Sequence, residues 1–298
     1  MRVRSVFSGI SPGTEMLAYR GEIDPDLELD ESIGSLDGSF SHPFRFGYSV
    51  VGVVEESHAP LPEGTRVFAF HPHQDRFDIG IGDVVPLPGV APRVATLFPL
   101  VETAFQIDLE TGLEPGQRAM VLGLGPVGAL TAMLLAGRGV EVVAADPLRW
   151  RRSVVHDLGL PRLTVAEPEA ARDLAPFPLV VDASGNPEAV RLGLETLEHE
   201  GTLLVASWYG SHEVALPLGR DFHRRRLTIT STQVSTIPAR LANEWDREKR
   251  RSAVVDLVPD LPLSVLATHT FPFDEAPAAY HAVDRREEGL IHAALAYD

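Results

Sequence analysis

Residues 119–146, AMVLGLGPVGALTAMLLAGRGVEVVAAD, constrain the fold more than any other stretch. An apolar run from Ala119 to Leu122 stops at Gly123, and Gly123, Gly125 and Gly128 satisfy G-x-G-x-x-G. Ala129 to Leu135 then reads as a buried helix, and Val140 to Ala144 as a second strand closing on Asp146. Strand, tight turn, helix, strand and acid in that order describe a dinucleotide-binding βαβ unit. Gly123 lets the chain turn sharply, Gly125 lets backbone approach a pyrophosphate, and Gly128 lets helix and strand pack closely. The helix N-terminus offers unpaired N–H groups to the anion. Asp146, 18 positions beyond Gly128, stands where a carboxylate accepts hydrogen bonds from an adenosine ribose. A glycine triplet alone would suit any tight turn, so the surrounding pattern carries the reading.

The chain's 298 residues allow about two domains, each able to bury its own core. Twenty-six basic residues face 42 acidic ones, a net charge of −16, which disfavours nucleic acid or an anionic membrane as partner. Without cysteine there is no disulfide framework, thiolate ligand or cysteine nucleophile. No apolar run reaches the roughly 18 residues that cross a bilayer, and the N-terminus lacks a signal-peptide hydrophobic region. The expectation is a soluble cytoplasmic protein.

In chain order, Met1 to Phe7 alternates like a strand and enters Ser8-Gly9-Ile10-Ser11-Pro12-Gly13-Thr14-Glu15, a turn leading to a short helix. Residues 22–43 are acidic and turn-rich and read as a surface excursion. Gly47 to Val54 and Arg66 to Phe70 predict short strands of a β-rich unit, and Ala91 to Gln106 a helix. Beyond Asp146 the alternation continues: helix 149–158, strand 163–165, strand 179–183, helix 188–197, strand 202–206 and strand 227–230. Six strands alternating with helices predict an α/β, doubly wound parallel sheet. Residues 239–257 read as a charged helix and 291–297 as a final strand.

With these pieces in order the chain resembles the medium-chain dehydrogenase/reductase superfamily over essentially its whole length. The matching stretches are Ser8 to Glu15, Gly47 to Gly52, the glycine triplet, Asp182-Ala183-Ser184-Gly185 and Trp208-Tyr209-Gly210. Within it, Val67 to Arg76, Val101 to Phe105 and Leu216 to Val234 look like the zinc-type alcohol dehydrogenase branch that includes bacteriochlorophyllide a dehydrogenase. The resemblance implies a Rossmann domain inserted in a GroES-like β domain, with the active site in the cleft between them. The expected boundaries are 1–104 for the first part of the GroES-like catalytic domain, 105–236 for the Rossmann domain, and 237–298 for the return to the catalytic domain. Family members usually carry roughly another strand pair before the first matched motif, so the expected β domain is a truncated one, or the chain starts late.

Departures from the family are equally informative. Zinc members carry glycine-isoleucine-cysteine where this chain has Ser11, and glycine-histidine-glutamate where it has Gly47-Tyr48-Ser49. The third ligand position falls near Phe98 or Pro99, and the four-cysteine lobe is absent. A catalytic zinc needs about three nitrogen, sulfur or carboxylate ligands, so no zinc is expected. His71 and His73 would share a face on a strand and could ligate a metal, but Pro72 between them breaks regular pairing and no third ligand is evident.

Hydride transfer needs a group that moves the hydroxyl proton, and without zinc hydrogen-bond donors must polarise the oxygen. Tyr48 is the first candidate, against the alternative of a core tyrosine. Thr14 resembles the hydroxyl that relays protons in zinc members, against a helix-capping role. Glu102 is a candidate general base, or a locally paired carboxylate, and His71 is the remaining titratable candidate. By resemblance, Gly123 to Gly128, with Pro126 and Val127, hold the pyrophosphate and Ser184 and Gly185 border the cofactor. Thr103, Trp208, Tyr209 and Gln233 are expected at the nicotinamide end. Asp146 argues for NAD over NADP. Arg149, Arg151 and Arg152 could pair with a phosphate, cover adenine or form a polar helix face.

The leading expectation is a zinc-independent NAD-linked dehydrogenase or ketoreductase acting on a secondary alcohol or ketone in a biosynthetic pathway, with a small-molecule substrate and working as a homodimer. The alternatives are an NADPH quinone or enoyl reductase, and a catalytically silent dinucleotide-binding protein.

Overall fold

The computed structural model describes residues 1–30, 32–58 and 60–298. The strands are β1 (Arg2–Ile10), β2 (Val50–Glu56), β3 (Arg66–Ala69), β4 (Arg76–Asp78), β5 (Val84–Pro86), β6 (Arg118–Leu122), β7 (Glu141–Ala145), β8 (Leu163–Ala166), β9 (Phe177–Asp182), β10 (Leu197–Val205), β11 (Thr228–Ser231), β12 (His269–Pro272) and β13 (Ala293–Ala296). The helices are α1 (Thr14–Arg20), α2 (Pro92–Ala95), α3 (Phe98–Thr111), α4 (Pro126–Gly137), α5 (Arg149–His156), α6 (Pro168–Arg172), α7 (Pro187–Thr196), α8 (Arg247–Leu257) and α9 (Ala276–Asp284). The chain forms two compact units, Met1–Pro99 with Arg251–Asp298, and Leu100–Arg250.

The second unit is the doubly wound fold expected from the sequence. Its sheet runs β11-β10-β9-β6-β7-β8, every pairing parallel. Numbered within the unit, that order is 6-5-4-1-2-3, the Rossmann arrangement, whose topological switch lies between β6 and β9. Ala119 to Leu122, Val142 to Ala145 and Leu179 to Asp182 are buried throughout, as strands covered on both faces must be.

The first unit is built on a mixed sheet of order β12-β13-β1-β2-β3-β5, with β4 added to β1. Val3, Val50, Val54, Val67, Ala69, Phe77 and Val84 form one apolar cluster of this sheet. Ile10, Met16, Ala279, Val283 and Leu295 form another, which binds α1 and α9 to β1 and β13.

Several segments differ from expectation for local reasons. The helix expected over 91–106 is broken at Thr96 and Leu97 into α2 and α3. The helix expected over 239–257 begins only at Arg247, because the Asp246 carboxylate accepts the Lys249 N–H at 2.7 Å and caps it there. Residues 22–43 are turn-rich as expected but are not merely a surface excursion. Ile23, Leu29, Leu36 and Phe40 bury themselves with Leu17 and Ala18 in a separate apolar cluster. Asp24 and Asp30 in that stretch turn inward along the chain to accept the Asp26 and Ser32 N–H groups. Position 31 of this stretch lies outside the described residues.

Candidate functional site

At the carboxyl end of β6 the three glycines have separate jobs. Gly123 has φ +95°, and a Cβ there would lie 2.7 Å from the Ala183 carbonyl oxygen and from Ser184 Cα. A Cβ at Gly128 would lie 1.9 Å from the Gly123 carbonyl oxygen, so the turn closes only without one. At Gly125 a Cβ would meet nothing nearer than Arg151 Nη1 at 3.9 Å, which leaves the turn open on that side. Gly125 is the N-cap of α4, Pro126 opens the helix, and no side chain caps its first N–H groups. An open turn and uncapped amides at a topological switch fit a pyrophosphate.

Asp146 is 2% exposed and already engaged. Its Oδ2 accepts the Leu124 N–H at 2.7 Å and its Oδ1 the Leu148 N–H at 2.8 Å, so it braces the glycine turn against the start of α5. An ionised carboxylate offers about four acceptor positions, so acceptor capacity remains for ribose hydroxyls. Arg151 lies 3.6 Å from the same carboxylate, its guanidinium over the Trp150 ring. Arg152 is held instead by Glu167, at 2.6 Å, and by the Asp146 and Pro147 carbonyls.

Asp182, fully buried at the end of β9, organises the neighbouring loops. Its Oδ1 accepts the Ser184 N–H and hydroxyl at 3.0 and 2.6 Å, and its Oδ2 accepts the Tyr209 hydroxyl at 2.8 Å. Burial and this carboxylate push the Tyr209 phenol far up. The exposed Gly185 gives its N–H to Ser207 Oγ at 2.8 Å, tying the loop after β9 to the one after β10. Trp208 is 43% exposed. Gln233 is exposed and its Oε1 accepts the Ser235 N–H, while Thr103 is half-buried on α3.

Glu102, also on α3, faces a guanidinium. Arg250 Nη2 is 3.1 Å from its Oε1, and Arg250 Nη1 donates to Gln106 Oε1 at 2.7 Å, all three residues being buried. Sequence reasoning saw a candidate base at Glu102 and did not foresee this partner.

The first unit gathers a second set of polar groups. The Tyr48 hydroxyl hydrogen-bonds with the side chains of Ser11 and Thr14, and burial together with the Glu15 carboxylate pushes its phenol well above the ordinary range. Thr14 is the first residue of α1 and Gly13 its N-cap, so the threonine hydroxyl is not the cap. Glu15, 2% exposed, accepts the Ser11 N–H at 2.8 Å through Oε1. Its Oε2 accepts the Tyr280 hydroxyl at 2.6 Å and lies 2.9 Å from His73 Nε2. His73 Nδ1 is 2.7 Å from Ser8 Oγ, which in turn lies 2.9 Å from the Tyr297 hydroxyl. Gly47 makes room for this imidazole, since a Cβ there would lie 2.5 Å from His73 Cδ2.

Sequence reasoning missed Glu15, Tyr280 and Tyr297 altogether. An acid in the first helical turn reads as a partner of the helix dipole. Tyr280 lies 265 residues away, beyond any local signal. His71 and His73 do not share a strand face. His71 stacks on Phe77 with ring centroids 3.9 Å apart and its Nδ1 lies 3.0 Å from the Pro72 carbonyl, while burial pulls its pKa down.

At the family's zinc-ligand positions, the hydroxyls of Ser11 and Tyr48 bind each other, and Phe98 packs on Phe68 at 4.9 Å. Two hydroxyls and a phenyl ring do not make a zinc site. Among the described residues no group of three or more histidine, cysteine, aspartate or glutamate side chains is placed to hold a metal ion. Among the described residues no helix is long and apolar enough to cross a membrane.

The known proteins similar to this chain are dehydrogenases and reductases. Residues 126–249 match the zinc-binding dehydrogenase family. L-galactonate-5-dehydrogenase of Escherichia coli K12 is 26% identical over 236 residues, 74% of this chain and 66% of that enzyme, so the chain spans about two thirds of its relative's length. The 2-desacetyl-2-hydroxyethyl bacteriochlorophyllide A dehydrogenase of Cereibacter sphaeroides is 26% identical over 93% of this chain and 84% of its own. Among solved structures, acetophenone reductase from Geotrichum candidum in complex with NAD superposes with a TM-score of 0.77 at 14% identity, covering 99% of this chain and 89% of that one.

Proposed function

Because the chain belongs to the medium-chain dehydrogenase/reductase superfamily, we propose that it is a zinc-independent oxidoreductase that interconverts a secondary alcohol and a ketone. The observation that carries this reading is the Tyr48 hydroxyl, held by Ser11 and Thr14 where zinc members place ligands. When bound, a nicotinamide dinucleotide supplies the hydride acceptor or donor. Gly123, Gly125 and Gly128 with the amides of α4 would hold its pyrophosphate, and Asp146 its ribose. Tyr48 stays protonated at neutral pH, so it acts as a hydrogen-bond donor to the substrate oxygen rather than as a phenolate. In the reducing direction Tyr48 gives its proton to the carbonyl oxygen as the carbinol forms while it receives one from the Thr14 hydroxyl, which is half-buried and is resupplied from solvent. Alcohol oxidation reverses each transfer. Glu102 takes no part, being tied to Arg250. By family resemblance the chain works as a cytoplasmic homodimer.

Tyr48→Phe is expected to lower kcat about 100-fold while leaving cofactor affinity unchanged. Steady-state kinetics on an alcohol and ketone panel, beside a cofactor titration of the same variant, test it. A Tyr48→Phe chain of parental kcat, or cofactor binding with no turnover of any panel member by the parent, would overturn the reading.

NAD is the first choice of cofactor, since a 2′-phosphate would meet the Asp146 carboxylate. Arg151, 3.6 Å from that carboxylate, offsets part of its charge and favours the NADPH reductase as second reading. Titration of tryptophan fluorescence with NADH and then NADPH is expected to show tighter NADH. The reverse order would promote the reductase.

A further inference from the structure

We propose that Ala18, Ile23, Phe40 and Phe44 line a ring-binding subsite, and that the substrate carries an aromatic or cycloaliphatic ring several atoms from its reacting carbon. The second half of the proposal rests on the reading of Tyr48 above; the first half does not. A cavity of about 150 Å³ opens between the C-terminal end of α1 and the loop that follows. Ala18, Ile23 and Phe40, all buried, lie on its inner side, and the exposed Pro25 and His42 on its outer side. An apolar cavity of about 150 Å³ is the size that accepts one benzene ring.

Its lining sets the class of ligand. Phe40 and Phe44 meet edge-to-face with centroids 5.6 Å apart, and the His42 ring lies 4.6 Å from Phe44. Rings packed in this way present edges and faces to a further ring, which gains contact beyond its buried area. His42 is the one polar side chain among the lining residues, and none carries a carboxylate, lysine or arginine. A polyol tail or a phosphate would leave its oxygens without partners against Ala18, Ile23 and Phe40.

Two lines of packed side chains run from this cavity toward the Tyr48 hydroxyl. Along α1, Thr14 hydrogen-bonds Tyr48 and Ala18, one turn on, lines the cavity, a spacing of about 6 Å at 1.5 Å per residue. Along the loop, Phe44 contacts Phe46 and Phe46 contacts Tyr48, each pair with centroids 6.4 Å apart. A substrate whose ring sits in the cavity would lay its chain over the half-buried Phe44 and Phe46 to bring a carbinol to Tyr48.

The test uses the full chain and two probes. Fluorobenzene, followed by ¹⁹F NMR, is expected to bind saturably to the parent, at least tenfold more weakly to Ala18→Leu, which fills the cavity, and about threefold more weakly to Phe44→Leu. Melting curves of both variants establish that they fold, and Phe44→Leu at a half-buried position serves if Ala18→Leu does not. In turnover, 6-phenylhexan-2-ol is expected to exceed hexan-2-ol in kcat/KM at least tenfold in the parent and to approach parity in Ala18→Leu. Fluorobenzene bound equally by the parent and both variants, or no saturable binding, overturns the subsite. Turnover of hexan-2-ol without fluorobenzene binding removes the subsite and leaves the oxidoreductase standing. Fluorobenzene binding that is lost in Ala18→Leu, without turnover of either alcohol, keeps the subsite and removes the oxidoreductase.

Discussion

Arg250→Met is expected to destabilise the chain by about 3–5 kcal/mol, the usual cost of removing one partner from a buried ion pair. Arg250 is 1% exposed and Glu102 2% exposed, so neither charge has water to fall back on. The guanidinium meets Glu102 Oε1 through Nη2 at 3.1 Å and gives Nη1 to Gln106 Oε1 at 2.7 Å. Gln106 continues the chain of contacts, its Nε2 donating to Glu110 Oε1 at 2.8 Å, which also accepts the Thr232 hydroxyl at 2.6 Å. Methionine fills much of the arginine stem but leaves the Glu102 carboxylate buried without its counter-ion. Adding Glu102→Leu in the same chain is expected to restore most of the loss, because an apolar pair in place of a buried ion pair is commonly neutral or stabilising. Urea unfolding of the parent, both single variants and the double variant gives the coupling directly. A single Arg250→Met variant within about 1 kcal/mol of the parent would show that the pair is not what joins α3 to the start of α8.

Why the sequence did not disclose that pair follows from where its members sit. The 239–257 stretch reads as a charged helix because it carries Arg247, Lys249, Arg250 and Arg251 together. Yet Arg250, Val254 and Val258 are all buried, four residues apart, and an arginine opening an apolar stripe of that period is the signal that could have marked it. The glycine turn was legible because every constraint on it is local: Gly123 to Asp146 must turn, leave a backbone bare and begin a helix within one βαβ unit. Of the strands of the first unit, β4, β5 and β12 are only three or four residues long, and β5 and β12 end in proline, so alternation cannot declare them. The cluster around Glu15 is non-local for the same reason its chemistry is of interest. Residues 8, 15, 73, 280 and 297 come together only when β1 pairs with β13 and α9 packs beside them. Tyr48 was visible as a departure from a family pattern and Thr14 as a match to it, but their shared hydrogen bond is a property of the fold.

Lowering the pH is expected to destabilise the chain through His292, by roughly 4 kcal/mol between neutrality and pH 3. Thr96 supplies the reason: its hydroxyl donates to the Arg93 carbonyl at 2.6 Å, so at 2.9 Å from His292 Nε2 it can only accept. The proton of the neutral imidazole therefore sits on Nε2, and the buried Nδ1 has no hydrogen-bond partner among the described residues. Charging the ring would place a cation on that nitrogen inside the core, near Arg93 and against β1, where a Cβ at Gly9 would lie 2.9 Å from His292 Cε1. Burial first, and Arg93 second, push the pKa down to about 3 from an ordinary value of 6.5. Below pH 6.5 the unfolded chain thus binds a proton that the folded chain refuses, so stability present above that pH falls steadily toward about pH 3. One such group gives a slope of about 1.4 kcal/mol per pH unit. His292→Gln keeps an N–H for Thr96 and does not titrate, so its stability curve separates this effect from the protonation of carboxylates shared by both chains. Urea midpoints at pH 7.5, 6, 5 and 4.5 are expected to converge between parent and variant as the pH falls, with the His292 Cε1–H resonance of the folded parent unshifted across the same range. Parallel curves, or an imidazole resonance that titrates near pH 6.5, would mean that water or a carboxylate reaches Nδ1 and that the ring beneath β1 carries charge.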